Sequence, residues 1–153
     1  MKFEDFNLKD EILRAVKHLG YVEATPIQQK CIPEIKNGRD VVGQSSTGSG
    51  KTAAFGLPIL EKLEHGKGLQ TLILTPTREL CVQVSDAIFS FSKFNGIKTT
   101  SVYGGVGIGS QIHAIPRADI VVGTPGRILD HMERGTIKFD KVKILVLDEA
   151  NET

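Results

Sequence analysis

The sequence lacks any marked excess of one charge and has no long apolar segment. Its 19 basic and 18 acidic residues give a formal net charge of only +1 at pH 7. A phosphate or nucleic-acid site therefore has to be local, because nothing in the overall charge attracts polyanions. No apolar run approaches the roughly 18 residues of a membrane span, and the opening stretch MKFEDFNLKD lacks the apolar core of a secretion signal. We expect a cytoplasmic, soluble protein.

Cysteine is scarce as well. Only Cys31 and Cys81 occur, both in apolar helical patterns and without a C-x-x-C spacing. This usage argues against a disulfide framework or a zinc site and predicts buried thiols in a reducing compartment. The length of 153 residues is enough for one ordinary domain.

Short apolar runs without polar alternation are typical of strands buried on both faces. They occur at residues 40–42, 71–74, 99–103, 119–123 and 143–149. Helical patterns lie at residues 8–19, 25–37, 52–63, 77–94, near Ser110 and at 125–133. Asn7 and Thr25 are the expected N-caps of the first two helices, and Pro33 is expected to bend or shorten the second. The alternation predicts an α/β fold, a mostly parallel sheet flanked by helices.

The stretch GQSSTGSGKT at residues 43–52 follows a predicted strand and precedes a predicted helix. At such a junction, successive backbone N–H groups and the positive end of the helix dipole favour a bound polyphosphate. Gly48 and Gly50 leave room for the curled backbone. The less specific interpretation is a flexible surface turn rich in glycine and serine.

The side chains of this stretch complete the phosphate site. Lys51 can reach the terminal phosphates, and the Thr52 hydroxyl can ligate Mg²⁺. Ser45 replaces the first glycine of the pattern G-x-x-x-x-G-K-[ST], which a small residue should tolerate. The predicted phosphate-binding residues are Ser45, Ser46, Thr47, Gly48, Ser49, Gly50, Lys51 and Thr52.

A predicted buried strand, Ile144 to Leu147, ends on Asp148 and Glu149. Two carboxylates at the carboxyl end of a strand suit metal binding and water activation. Asp148 is the predicted Mg²⁺ ligand through water, and Glu149 is the predicted base for the attacking water. Lys51 is the third predicted catalytic residue. A solvated loop start is the alternative interpretation of the pair.

Together these motifs resemble the first RecA-like domain of the DEAD-box RNA helicases, whose fold is that of a P-loop NTPase. The resemblance runs in order through nearly the whole chain. It rests on Phe6 with GY at 20–21 and ATPIQ at 24–28, SSTGSGKT at 45–52, PTREL at 76–80, GG at 104–105, TPGR at 124–127 and DEAN at 148–151.

The resemblance implies ATP and Mg²⁺ as cofactors and RNA as the partner. Gln28 is implied to read the adenine edge and Phe6 to stack on the base, which favours ATP over GTP. Without the resemblance, Gln28 would more often be a surface glutamine and Phe6 a core anchor. Backbone contacts to RNA, independent of base sequence, are implied for Pro76, Thr77, Arg78, Gly104, Gly105, Thr124, Pro125, Gly126 and Arg127. The two Thr-Pro pairs are also good helix starts by themselves.

The sequence departs from the family pattern at its end. Asn151 stands where the family has an aspartate, which puts the coupling of hydrolysis to strand separation in doubt. No Ser-Ala-Thr motif and no second RecA-like domain follow before Thr153, so the expected RecA-like domain is truncated after the motif II strand. The expected organisation is a Q-motif region at 1–36 and a partial domain at 37–153. By themselves these residues are expected to show little ATPase and no unwinding.

Two other functions remain open from the sequence. A P-loop phosphotransferase would use the same phosphate loop with an acceptor pocket, although Glu149 and Gln28 argue against it. A non-catalytic RNA clamp would use the same surface without hydrolysis. DNA as the unwound substrate is a further possibility.

Overall fold

The computed structural model describes residues 1–37 and 50–148. A 3-10 helix at Phe3–Phe6 comes first and a second one lies at Ile115–Arg117. The α-helices are α1 (Asp10–His18), α2 (Pro26–Lys36), α3 (Lys51–Lys62), α4 (Arg78–Phe91), α5 (Gly109–Ala114) and α6 (Pro125–Arg134). The strands are β1 (Thr71–Leu74), β2 (Thr99–Val102), β3 (Ile120–Gly123) and β4 (Ile144–Leu147). The strand predicted at 40–42 lies outside the described residues.

The four strands form one parallel sheet in the order β2-β3-β1-β4. Each strand is separated from the next along the chain by at least one helix, as is usual for connections between parallel strands. This arrangement confirms the predicted α/β class with a parallel sheet and flanking helices. The four described strands agree with their apolar runs to within two residues at either end.

The centre of the sheet is buried on both faces. Ile73 of β1 and Ile120, Val121 and Val122 of β3 have no exposed surface. One face packs into a cluster made of Leu69, Leu72, Val102, Ile115, Ala118, Val121, Ile128 and Ile137. Strand β4 differs, because Leu145 and Leu147 are 59% and 65% exposed. Uninterrupted apolar runs therefore predicted the strands correctly, whereas full burial holds only for the central ones.

Two expectations about the first helices were wrong. Pro33 does not shorten α2, which continues past it to Lys36, while a bend at Pro33 stays a prediction. Burial of Cys31 and Ile32 offsets the hydrogen bond that Pro33 cannot donate. Asn7 does not cap α1. It adopts the left-handed conformation (φ +57°) after the first 3-10 helix, a conformation that asparagine tolerates.

Backbone contacts divide the chain into two compact units. Among the described residues, the first contains 1–37, 50–63 and 87–96, and the second contains 64–86 and 97–148. The sheet belongs wholly to the second unit, whereas α1, α2 and α3 belong to the first.

Cys31 and Cys81 are buried as predicted, and burial raises the pKa of both thiols. Across the described ranges, no helix has the length and apolarity to cross a membrane.

Asp119 joins the amino ends of the strands in the second unit. Its buried carboxylate accepts hydrogen bonds from the backbone N–H groups of Gly66 (3.0 Å) and Lys98 (2.8 Å). The Nδ1 atom of His65 lies 2.8 Å from the same carboxylate. One side chain thus connects the segment before β1, the start of β2 and the start of β3.

We expect Asp119→Ala to lower the free energy of unfolding by about 2 kcal/mol, because buried donors lose a charged acceptor. Urea titration followed by circular dichroism measures the loss. The matched control is Asp140→Ala at an exposed site, which should change stability by less than about 0.5 kcal/mol. Equal stability of the two variants would contradict the role of Asp119.

Candidate functional site

The sequence-predicted residues of the second unit lie at the carboxyl edge of the sheet. The register pairs Leu74 of β1 with both Gly123 and Leu147, so these strands end at the same level. Hydrogen bonding continues one residue further. The Thr75 N–H donates to Gly123 O (2.9 Å), and the Asp148 N–H donates to Leu74 O (2.8 Å). Ligands of open parallel sheets bind at this edge.

Gly123 allows helix α6 to pack closely against the end of β3. A Cβ atom at this position would lie 2.5 Å from Ile128 Cδ1 and 3.2 Å from Val102 O. The Thr124 N–H then donates to Val102 O (3.0 Å), which places the start of α6 beside the end of β2. The segment Thr124–Arg127 therefore has its position fixed by backbone packing.

Two helices begin at this edge, and they are capped differently. The Thr77 hydroxyl accepts the Leu80 N–H (3.2 Å) at the start of α4. Thr124 is the N-cap of α6, but its side chain makes no cap hydrogen bond with any described residue. Pro125 occupies the first position of that helix. The first-turn N–H groups of α6 thus have no side-chain cap in the described chain, which suits an anion.

The glycine loop after β2, residues 103–109, lies beside Arg78. The guanidinium carbon of Arg78 is 4.9 Å from the centre of the Tyr103 ring. Gly104 and Gly105 are exposed, and Gly105 has φ +84°. A Cβ atom on Gly105 would lie 3.6 Å from Arg78 Nη1. Pro76, Thr77 and Arg78, which follow β1, are also exposed.

Arg127 makes more contacts within the protein than the sequence predicted. Its Nη1 donates to Gln111 Oε1 (3.2 Å) and its Nη2 donates to Val106 O (3.1 Å). Its Nε lies 3.6 Å from an Asp130 carboxylate oxygen. The side chain is only 12% exposed. Arg127 therefore binds the glycine loop within the protein, whether or not a ligand is also bound.

The sequence did not point to two buried polar residues near Arg127, which are Gln111 and His131. His131 is fully buried, and its Nε2 lies 3.0 Å from Gln111 Oε1. Gln111 is 5% exposed and donates through Nε2 to Tyr103 O (3.0 Å). Burial lowers the pKa of His131, and the nearby Arg127 lowers it further. The signal in the sequence was a histidine three residues after Ile128, on the apolar face of a predicted helix.

In the first unit, Gln28 connects α2 to the start of α3. Its Oε1 accepts the Thr25 N–H (2.9 Å), and Thr25 caps α2 in return. Its Nε2 donates to Gly50 O (3.2 Å). Thr25 as an N-cap is confirmed. Because an amide oxygen has two lone pairs and its nitrogen two protons, Gln28 still has capacity for a ligand.

Helix α3 begins as a phosphate-binding helix would. Its N-cap is Gly50 in the left-handed conformation (φ +81°), which gives the described part of the helix no side-chain cap. Lys51 and Thr52 occupy its first turn and are half-buried. This end of a twelve-residue helix fits a polyphosphate. Ser45, Ser46, Thr47, Gly48 and Ser49 lie outside the described residues, as do Glu149 and Asn151.

Phe6 lies in the core of the first unit. It is 6% exposed, and its ring packs edge-on against Phe3 at 6.0 Å between centroids. Its carbonyl accepts a hydrogen bond from Lys36 Nζ (2.8 Å). Adenine stacking by Phe6 stays a prediction.

Comparisons with known proteins agree on one family. The DEAD/DEAH box helicase family model matches residues 25–153. The chain is 47% identical to the ATP-dependent RNA helicase CshA of Limosilactobacillus reuteri, covering 99% of this chain and 31% of that protein. It is 52% identical to the ATP-dependent RNA helicase DeaD of Escherichia coli K12, over 98% of this chain and 24% of that protein.

A solved structure shows the same fold. The crystal structure of a DEAD box protein from the hyperthermophile Methanococcus jannaschii matches with a TM-score of 0.93 and 47% identity. The match covers 97% of this chain and 41% of the other. The resemblance predicted from the motifs is confirmed. The chain spans about a quarter to two fifths of the length of these relatives.

Substituting Gly50 tests the connection to Gln28. In Gly50→Ala, the new Cβ would lie 2.5 Å from Gln28 Nε2 in a left-handed backbone. We expect the free energy of unfolding to fall by about 1 kcal/mol for the backbone and about 1 kcal/mol for the broken hydrogen bond. Chemical denaturation measures the sum.

Gly20→Ala is the matched control, because Gly20 has the same φ of +81° and its added Cβ would meet nothing within 4 Å. This control should lose only the backbone contribution. If both variants lose the same stability, the Gln28 contact contributes nothing.

Proposed function

Because the chain belongs to the DEAD/DEAH box helicase family, we propose that it is the ATP-binding, RNA-contacting part of an ATP-dependent RNA helicase. The complete protein would couple ATP binding and hydrolysis to local separation of an RNA duplex. The observation that carries this proposal is the row of family motifs at the carboxyl edge of the sheet, in the register described above.

The nucleotide part of the proposal is taken unit by unit. The start of α3 would bind the phosphates through its N–H groups and Lys51, together with the loop from Ser45 to Gly50. In the first unit Thr52 is proposed as a ligand of Mg²⁺, the cation that neutralises the developing charge of phosphoryl transfer. In the second unit the proposed Mg²⁺ ligand is Asp148. Glu149 would orient and deprotonate the attacking water.

Adenine recognition is proposed for Gln28. Its donor and acceptor match the adenine edge, and its bonds to Thr25 and Gly50 fix the amide plane beside α3. A ligand bound there would therefore meet an oriented amide. Stacking of Phe6 on the adenine base is proposed as well, from the family resemblance.

The RNA part of the proposal uses the exposed segments after β1, β2 and β3. Phosphates would bind the uncapped N–H groups at the start of α6 and the exposed Arg78, while Gly104 and Gly105 allow close approach. The remaining proposed contacts are Pro76, Thr77, Thr124, Pro125, Gly126 and Arg127. Such contacts grip the sugar-phosphate path without reading bases, so we propose binding that is independent of RNA sequence.

Assayed alone, these 153 residues should bind ATP weakly, hydrolyse little and unwind nothing. They match only 31% of the CshA relative, and an arginine supplied from elsewhere is worth about 10³ or more in rate in enzymes of this chemistry. In the complete protein, ATP binding would strengthen RNA binding, and hydrolysis would release the RNA.

Titration of ATP·Mg²⁺ with and without poly(U) tests the nucleotide site. We expect Lys51→Ala to weaken ATP binding about tenfold or more, because a charge-assisted contact to phosphate is lost. Fluorescent ATP and isothermal calorimetry measure it. Lys67→Ala, at an exposed lysine of the 64–68 segment, is the control and should bind as the unchanged chain does. Equal binding by both variants would contradict the phosphate site, and RNA binding unaffected by nucleotide would favour a non-catalytic clamp.

Salt dependence tests the RNA edge. We expect Arg78→Ala to weaken binding to oligonucleotides of different sequence by a similar factor, and to reduce the slope of log K against log salt by about one. Fluorescence anisotropy from 50 to 200 mM KCl, roughly the range over which such slopes are resolved, measures it. Arg134→Ala, at the far end of α6, should leave the slope unchanged. A loss confined to one RNA sequence would rule out a backbone contact.

A further inference from the structure

We infer that the buried pair Gln111 and His131 positions Arg127 and the glycine loop at the proposed RNA edge. Neither residue belongs to a motif that the sequence analysis assigned. The inference rests on the proposed function, because the edge that contains Arg127 is proposed to bind RNA. The positioning of Arg127 itself can be measured without RNA.

The orientation of the Gln111 amide is set by its partners. Its Oε1 faces Arg127 Nη1 at 3.2 Å, and a guanidinium can only donate. Its Nε2 faces Tyr103 O at 3.0 Å, and a carbonyl can only accept. The amide therefore has one orientation, and it joins α6 to the first residue of the glycine loop.

Gln111 Oε1 also determines which ring nitrogen of His131 carries a proton. Because Gln111 Oε1 is an acceptor, the His131 Nε2 at 3.0 Å has to carry a proton and donate it. The His131 Nδ1 atom lies 2.7 Å from the Thr136 hydroxyl oxygen, and that hydroxyl donates to the His131 backbone carbonyl at 3.2 Å. His131 thus adds a second donor to the oxygen that Arg127 also uses.

Gln111 and Arg127 each bind one backbone carbonyl of the glycine loop. Gln111 binds the Tyr103 carbonyl at its start, and Arg127 Nη2 binds the Val106 carbonyl three residues later. Tyr103 in turn presents its ring to Arg78 at 4.9 Å. Two arginines from separate helices therefore contact residues of one loop.

Arg127 keeps donors for a ligand. A guanidinium has five N–H groups, of which two donate to Gln111 and Val106 and one faces Asp130. The exposed 12% of the side chain is the part that a phosphate would reach. A fixed guanidinium loses less freedom on binding than a mobile one, which favours affinity.

Variants of His131 separate positioning from simple packing. Glutamine places its amide nitrogen near the position of the ring Nε2, so His131→Gln should keep the donor to Gln111. Asparagine is shorter and reaches only toward Thr136, so His131→Asn should lose that donor. His113→Asn, at an exposed histidine on α5, is the matched control.

Two measurements are made on each variant of the 153-residue chain. Fluorescence anisotropy with a labelled oligo(U) strand gives RNA affinity, and the ¹H–¹⁵N signal of Arg127 Nε reports the order of the guanidinium. We expect His131→Asn to weaken RNA binding about five- to tenfold, as loss of one ordered contact would, and to broaden the Arg127 signal. His131→Gln and the control should stay within about twofold of the unchanged chain.

Equal losses in His131→Asn and His131→Gln, or no loss in either, would overturn the inference. If circular dichroism shows that His131→Asn does not fold, Gln111→Met takes its place and should give the same two losses. If the unchanged chain binds no RNA, the proposed function fails, and the Arg127 signal alone decides the positioning role.

Discussion

In-register parallel pairing of β1 with β3 and β4 is the constraint on which the candidate site depends. Because Leu74 lies level with Gly123 and Leu147, the residues that follow each strand emerge side by side. Two further hydrogen bonds, from Thr75 and Asp148, extend the pairing beyond the strands themselves. A shift of register by one residue would move these residues out of level with one another.

At that edge, the buried side chains of Gln111 and His131 have complete hydrogen-bond partners. Gln111 and His131 are almost inaccessible, yet every polar atom of their side chains has a partner. Burial without partners would destabilise the fold, whereas a satisfied network fixes one arrangement of loop and helix. Arg127 belongs to this network, so its role in the structure and its proposed role in binding are not separate.

The first unit uses a similar arrangement at the start of α3. Gln28 bonds to the cap of one helix and to the carbonyl of Gly50 before the next. The glycine is needed for its left-handed backbone and because any Cβ would collide with Gln28. The absence of a side-chain cap at this described helix start and the presence of an oriented amide are both compatible with a bound nucleotide.

The sequence by itself determined the class of fold, the described strands and the family. Uninterrupted apolar runs such as Ile120–Gly123 need two covered faces, and the motifs stand at fixed distances from them. It also identified Thr25 as a cap, because capping depends on residues only three apart.

Only the tertiary structure decided which polar groups meet. Gln111 and His131 are twenty residues apart and belong to different helices, so no local pattern predicted their hydrogen bond. Likewise Pro33 was tolerated because burial around it offset a lost hydrogen bond, and Asn7 was displaced from its predicted cap by the 3-10 helix before it. Local spacing fixes elements and motifs, whereas partners distant in sequence are fixed by the packing of those elements.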